Sequence, residues 1–99
     1  MNLPLIVTPE AENDLVESKR WYDRQRPGLG QEFVLCVEEA LERIRRIPQG
    51  ASEVHPGIRR AVVRRFPYGV FYRVDVDQIA VIAIYDCRRE PKGWQKRDG

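Results

Sequence analysis

Histidine, methionine and cysteine are scarce in this 99-residue chain, which holds one, one and two of them. A structural zinc site takes about four Cys or His ligands. His55 with the distant Cys36 and Cys87 offers no such set, so no metal is expected. The two cysteines lack CxxC spacing and are expected as reduced thiols. Long apolar runs are missing as well. The longest, Ile79–Tyr85, is far below the roughly 20 residues of a membrane-spanning helix. The opening MNLPLIVTPE has no basic region and too short an apolar stretch for a secretory signal, so a cytoplasmic location is expected. No GxSxG, Walker, HExxH or glycine-rich phosphate motif occurs, and no cofactor is expected. What remains is 42% hydrophobic and 32% charged, which excludes a disordered or collagen-like chain and a disulfide scaffold. The length allows a single domain, 1–99.

The net charge of +2 conceals an asymmetry. Residues 1–53 carry 10 acidic and 7 basic side chains, whereas residues 54–99 carry 5 and 10. Between Glu53 and Asp75 there is no acid, but there are five arginines: Arg59, Arg60, Arg64, Arg65 and Arg73. A basic half on a small domain points to an anionic partner, either nucleic acid or an acidic protein segment, or to a solvated basic face.

Leu3–Thr8 reads as a strand. Thr8-Pro9 then signals a helix start, with Thr8 as the N-cap, Pro9 in the first helical position and Glu10, Glu12 and Asp14 complementing the helix dipole. Ala11, Leu15, Ser18 and Tyr22 form one face, and the helix is expected over Pro9–Arg26, ahead of Pro27-Gly28. A second helix over Gly30–Ile47 carries the clearest periodicity in the chain: Phe33, Val37, Ala40, Leu41, Ile44 and Ile47. So short a link makes the two helices antiparallel, as a hairpin over about 9–47. Pro48–Gly57 reads as a connection.

From Ile58 onward β-branched and aromatic residues dominate. Three strands are expected, about Arg59–Phe66, Tyr68–Asp75 and Ile79–Tyr85, as an antiparallel meander over about 59–85. In the middle one Tyr68, Val70, Tyr72 and Val74 share a face, with Phe71 and Arg73 on the other. The last is apolar on both faces, which places it centrally or under a partner. A basic tail, 86–99, follows. The order is β-α-α-β-β-β, an α+β domain of two layers with its antiparallel sheet packed on the helical hairpin.

The catalytic inventory is thin, since His55 stands alone beside Pro56 and neither Ser18 nor Ser52 has a base nearby in sequence. Arginine with tyrosine is left. Arg60, Val62 and Arg64 are expected on one face of the first meander strand, with Arg88, Arg89, Lys92, Lys96 and Arg97 in the tail beside Trp94. Arginine forks suit phosphates and carboxylates. Such a cluster could bind an anion, or stabilise the charge of a phosphoryl transition state without histidine.

These residues carry a resemblance to the RelE/ParE superfamily, toxins of bacterial type II toxin–antitoxin systems. It covers about residues 3–97. It rests on Pro9-x-Ala11-x-x-Asp14-Leu15, Trp21-Tyr22, Pro27-Gly28-Leu29-Gly30, Phe33 and Ala40-Leu41-x-x-Ile44-x-x-x-Pro48. Arg60 with Phe66-Pro67-Tyr68-x-Val70-x-Tyr72 and the ending Arg88-Arg89-Glu90-Pro91-x-x-Trp94-x-x-Arg97 complete it. ParE-like members often place a histidine after the last strand, where this chain has Asp86. RelE-like members imply ribosome-dependent mRNA cleavage, an endoribonuclease activity, through a basic set. Only Arg60 matches that set, while Val62, Gly69 and Pro91 fall on its other positions. ParE-like members have longer hairpin helices and imply poisoning of DNA gyrase, and the helices and tail here are of that type. The resemblance implies a cognate antitoxin with an acidic C-terminal segment as partner. DNA gyrase is the implied target, with the ribosome and mRNA, or antitoxin binding without toxicity, as alternatives. Candidates for target binding are Arg60, Arg64, Arg88, Arg89, Trp94 and Arg97.

Overall fold

The computed structural model describes residues 3–98. Strand β1 (Leu5–Val7) leads into helix α1 (Pro9–Gln25), α2 (Leu29–Arg46) and four strands, β2 (Ser52–His55), β3 (Ile58–Val62), β4 (Tyr68–Val74) and β5 (Ile79–Asp86). The tail closes with α3 (Lys92–Gln95) and a 3-10 turn at Lys96–Asp98.

Both long helices fall within a residue of their expected bounds. Thr8 caps α1, its Oγ1 accepting the Ala11 N–H at 3.3 Å, with Pro9 in the first turn. Gly28, at φ 88°, reverses the chain into α2, a backbone that glycine adopts without penalty. The hairpin is close at Gly30. Its N–H donates to Asp23 Oδ1 at 2.7 Å, and a Cβ there would stand 2.5 Å from the Lys19 carbonyl oxygen.

The sheet runs β1-β5-β4-β3-β2. The expected meander is antiparallel throughout, and β1 adds a parallel edge, Leu5 to Val7 pairing with Ile79 to Val81. Between β1 and β4, strand β5 is central, which accounts for its apolar residues on both faces.

Two local expectations change. The segment Pro48–Gly57 is not only a connection: Ser52–His55 pairs with β3, Glu53 opposite Arg59. Pro56-Gly57 is the turn of this hairpin, with Gly57 at φ 78°. A four-residue edge strand with little apolar alternation has no periodic signal; its partner defines it. The first meander strand also ends early, at Val62 rather than Phe66. Arg65 takes a left-handed φ of 73°, costly for a side chain of this size, and Glu32 of α2 holds its guanidinium at 2.8 Å.

The main core lies between hairpin and sheet. Phe33, Val37, Ala40 and Ile44 of α2 meet Val70, Tyr72, Val81 and Ile84, all at most 1% exposed. Full burial of such a side chain is worth about 1.5–3 kcal/mol. Ile47, expected on the same stripe, follows the last turn of α2 and is 65% exposed. A second apolar cluster covers the opposite face of the sheet: Ile58, Phe71, Ile82 and Ala83 under Trp94. The Trp94 ring stacks on Phe71 at 4.4 Å, with His55 edge-on at 5.8 Å. Hence hairpin and meander do not by themselves complete the core; the tail seals its second half.

Candidate functional site

Among the concavities of the described residues, two flank the helical layer and matter here. The larger, about 500 Å3, opens between the end of α2 and the β2–β3 edge. Ile44, Ala61 and Tyr72 line it together with the exposed Ile47 and Val62, while Arg43 and Arg46 bring positive charge. The Tyr72 hydroxyl donates to the Pro48 carbonyl at 2.7 Å, and burial pushes its pKa up. Arg59 ties the β2 approach down through the carbonyls of Gln49 and Ala51, at 3.3 and 2.7 Å. The groove is therefore apolar within and cationic at its edge, over a firmly anchored wall.

The second concavity, about 280 Å3, lies between the middle of α1 and the ends of β4 and β5. Trp21, Tyr22, Tyr68, Asp86, Arg88 and Arg89 line it with Glu17 and Ser18. Behind it Tyr22, Phe33, Phe66 and Tyr68 pack ring against ring, with centroids 4.8 to 6.0 Å apart. Ser18 Oγ donates to the Tyr68 hydroxyl at 3.1 Å. The Asp86 carboxylate receives the Arg88 backbone N–H and guanidinium, at 2.8 to 3.0 Å. Those bonds hold its pKa below the usual carboxylate range against a smaller opposing effect of burial. Burial raises the Tyr22 pKa, helped by the neighbouring Tyr68 and Asp86.

The candidate residues separate into three groups. Arg60 lies over Gly69 and reaches Cys87, so it joins Arg88 and Arg89 at one end of the sheet. Arg89 lies over the Tyr85 ring at 5.0 Å and has no ion pair among the described residues. Arg64 parts from Arg60, because the strand has ended; it approaches Glu39 of α2 at 3.8 Å. Trp94 and Arg97 secure the tail. Arg97 grips the Asp14 carboxylate at 2.6 and 3.1 Å and donates to the Ile82 carbonyl, while Asp14 also accepts the Ile84 N–H at 3.0 Å. Trp21, Tyr22 and Tyr68 were not among the sequence candidates. Trp21 had a signal, since it lies off the Ala11–Tyr22 stripe and a large ring there must face solvent; it is 48% exposed.

Among the described residues no group of His, Cys, Asp or Glu is arranged to hold a metal, and both cysteines are free. No helix of the described residues is long and apolar enough to cross a membrane.

Asp23, Glu32, Glu39, Asp75 and Asp86 all have lowered pKa values, and in each the chief cause is a hydrogen bond from Lys19, Arg65, Arg43, Arg73 and Arg88 in turn. A carboxylate whose folded pKa lies below its unfolded value stabilises the fold above the unfolded pKa, about 3.9–4.3, and loses this as pH falls through the folded one. Urea midpoints are thus expected to hold steady from pH 7 to about 5 and to fall below about 4. A midpoint that rises on acidification would contradict the ion-pair assignments.

A helical hairpin on a five-stranded sheet, with an apolar-cationic groove and an arginine-bearing sheet end, defines a small two-layer α+β domain. The family model for the ParE toxin of type II toxin-antitoxin system, parDE, matches residues 5–91. The chain belongs to that family: it is a ParE-family toxin of a type II toxin–antitoxin system. A solved structure described as the chromosomal ParDE TA system from P. aeruginosa shares the fold. It has a TM-score of 0.77 and 24% identity, over 85% of this chain and 95% of that one. A comparison with curated proteins finds no significant match.

Proposed function

We propose that this toxin arrests growth by inhibiting DNA gyrase, and that a cognate antitoxin in the same cytoplasm neutralises it. Membership of the ParE family over residues 5–91 carries the reading. The residues weigh against RNA cleavage. Two of the basic positions expected of a cutting surface are Val62, apolar, and Gly69, with no side chain and roofed by Arg60. The arginines at the sheet end, the half-buried Arg60 and the exposed Arg88 and Arg89, are the proposed contacts with the target. Expression of the chain alone is expected to stop bacterial growth, and purified protein to inhibit supercoiling by gyrase. In a translating-ribosome assay it should leave mRNA whole. Codon-positioned cuts that vanish on Arg60→Ala would replace this reading with the ribosomal one.

For the antitoxin, the groove beside α2 favours an acidic amphipathic segment. Apolar anchors would bury Ile47 and Val62, and carboxylates would meet Arg43 and Arg46. The double substitution Ile47→Asp, Val62→Glu puts like charge where the partner carries it. It is expected to weaken antitoxin binding by at least about 30-fold, a loss of about 2 kcal/mol. Growth arrest that co-expressed antitoxin no longer rescues is the matching cellular result. Unchanged affinity would move the antitoxin to another face.

A further inference from the structure

The aromatic cleft between α1 and the sheet end holds more unspent hydrogen-bonding capacity than packing requires. Among the described residues the Tyr22 hydroxyl has no hydrogen-bond partner, although the residue is only 8% exposed. The Tyr68 oxygen accepts from Ser18, which leaves the Tyr68 hydrogen free to donate into the cleft. Glu17 has no ion pair there, and the Arg89 guanidinium lies over the Tyr85 ring without an ion pair among the described residues. Donors and acceptors are thus both on offer. Glu17 and Asp86 balance Arg88 and Arg89, so the interior is near neutral and disfavours a free anion or cation. The Trp21 ring, 48% exposed, lines the cleft and stands at 86° to Tyr22, with centroids 5.0 Å apart.

We propose that this cleft binds a nucleobase, with the base against Trp21 and its edge read by the Tyr22 and Tyr68 hydroxyls and the Glu17 carboxylate. A neutral, planar heterocycle bearing both donors and acceptors is the chemistry such a lining matches. The volume agrees: about 280 Å3 lies just below the roughly 300–1,000 Å3 of pockets for drug-sized ligands, and suits one ring system with its sugar and phosphate outside. Arg88 and Arg89, at the end of β5, then stand where an attached phosphate would emerge. Guanine fits best, since a carboxylate accepts from its N1 and N2 hydrogens while a phenol donates to O6 or N7. The packed rings behind the cleft hold both phenols in place before a ligand arrives.

The base can come from a free nucleotide or from a single strand, and titration of the whole purified chain separates the two. GMP and a short guanine-containing DNA strand are each added while tryptophan fluorescence and calorimetric heat are followed. Both are expected to bind and to quench Trp21. Equal affinities assign a nucleotide site, and at least tenfold tighter binding of the strand assigns a strand site. Trp21→Ala is expected to weaken either ligand at least tenfold, since base stacking on an aromatic ring is worth about 1–3 kcal/mol. Tyr22→Phe, which keeps the ring in the core, should weaken the ligand severalfold with an unchanged melting temperature. The proposal fails if neither ligand binds at millimolar concentration. It also fails if both variants bind as the parent does, which is attraction of phosphate alone, or if an arginine-rich peptide occupies the cleft instead. Because binding is read on the purified chain, neither the gyrase reading nor its failure bears on the result.

Discussion

Replacing Trp94 by alanine is expected to cost about 3–5 kcal/mol, the usual range for deleting a large buried aromatic side chain. The ring is 6% exposed, stacks on Phe71 at 24° between planes, and covers Ile58 and Ile82 from the far side of the sheet. Whole domains are stable by only about 5–15 kcal/mol, so the loss is a large share of the total. For a chain of this length each kcal/mol shifts the melting temperature by roughly 4–8 °C, which puts the expected fall at about 12 °C or more. Trp94→Phe keeps a stacking ring and should lose clearly less. Removal of the chain after Tyr85 should act like the alanine variant or worse, because it uncovers the same apolar patch. A melting temperature within about 2 °C of the parent in Trp94→Ala would mean that the tail is not docked.

The second large effect separates toxicity from folding within the tail. Arg88→Ala, Arg89→Ala together remove two guanidiniums; the Arg88 side chain is 70% exposed and pairs with Asp86, which is 13% exposed. Loss of Arg89 should stay within about 0.5 kcal/mol, whereas loss of the Arg88 guanidinium leaves Asp86 with the Arg88 backbone N–H and is expected to cost about 1–3 kcal/mol, so the variant is assayed well below its melting temperature. Inhibition of gyrase and arrest of growth are expected to drop at least tenfold. Arg97→Ala should behave in the opposite way. It leaves the Asp14 carboxylate, 14% exposed, with the Ile84 N–H and no guanidinium, at a cost of about 1–3 kcal/mol. Its melting temperature is expected to fall before its toxicity does. Full toxicity in the Arg88, Arg89 double variant would move the target surface to the edge bearing Arg64.

The hairpin, the meander strands and the inner core residues were legible because their signals are local. Caps, prolines and a stripe such as Phe33, Val37, Ala40 and Ile44 act within a few turns of one helix. The five arginines between Glu53 and Asp75 were equally visible, and so was the family pattern. Which of the basic residues stand together was not. Arg60 and Arg64 share a face only while the strand continues, and the left-handed backbone at Arg65 comes after that strand has ended. Arg97 reads as one more tail cation until Asp14, 83 residues away, is seen to hold it.

The sequence alone thus determined the two long helices, the first strand and the three meander strands, their order, the α+β class and the basic character of the second half, since propensity, periodicity and charge reside in the residues themselves. Only the tertiary structure decided that Ser52–His55 is a strand, that β1 runs parallel to β5, and that Trp94 completes a second core rather than meeting a partner. It alone assembled Trp21, Tyr22, Tyr68 and Arg88 into one cleft. Each depends on a partner distant along the chain, and such pairing is set by burial and backbone hydrogen bonding across the fold, which leave no period in the local sequence.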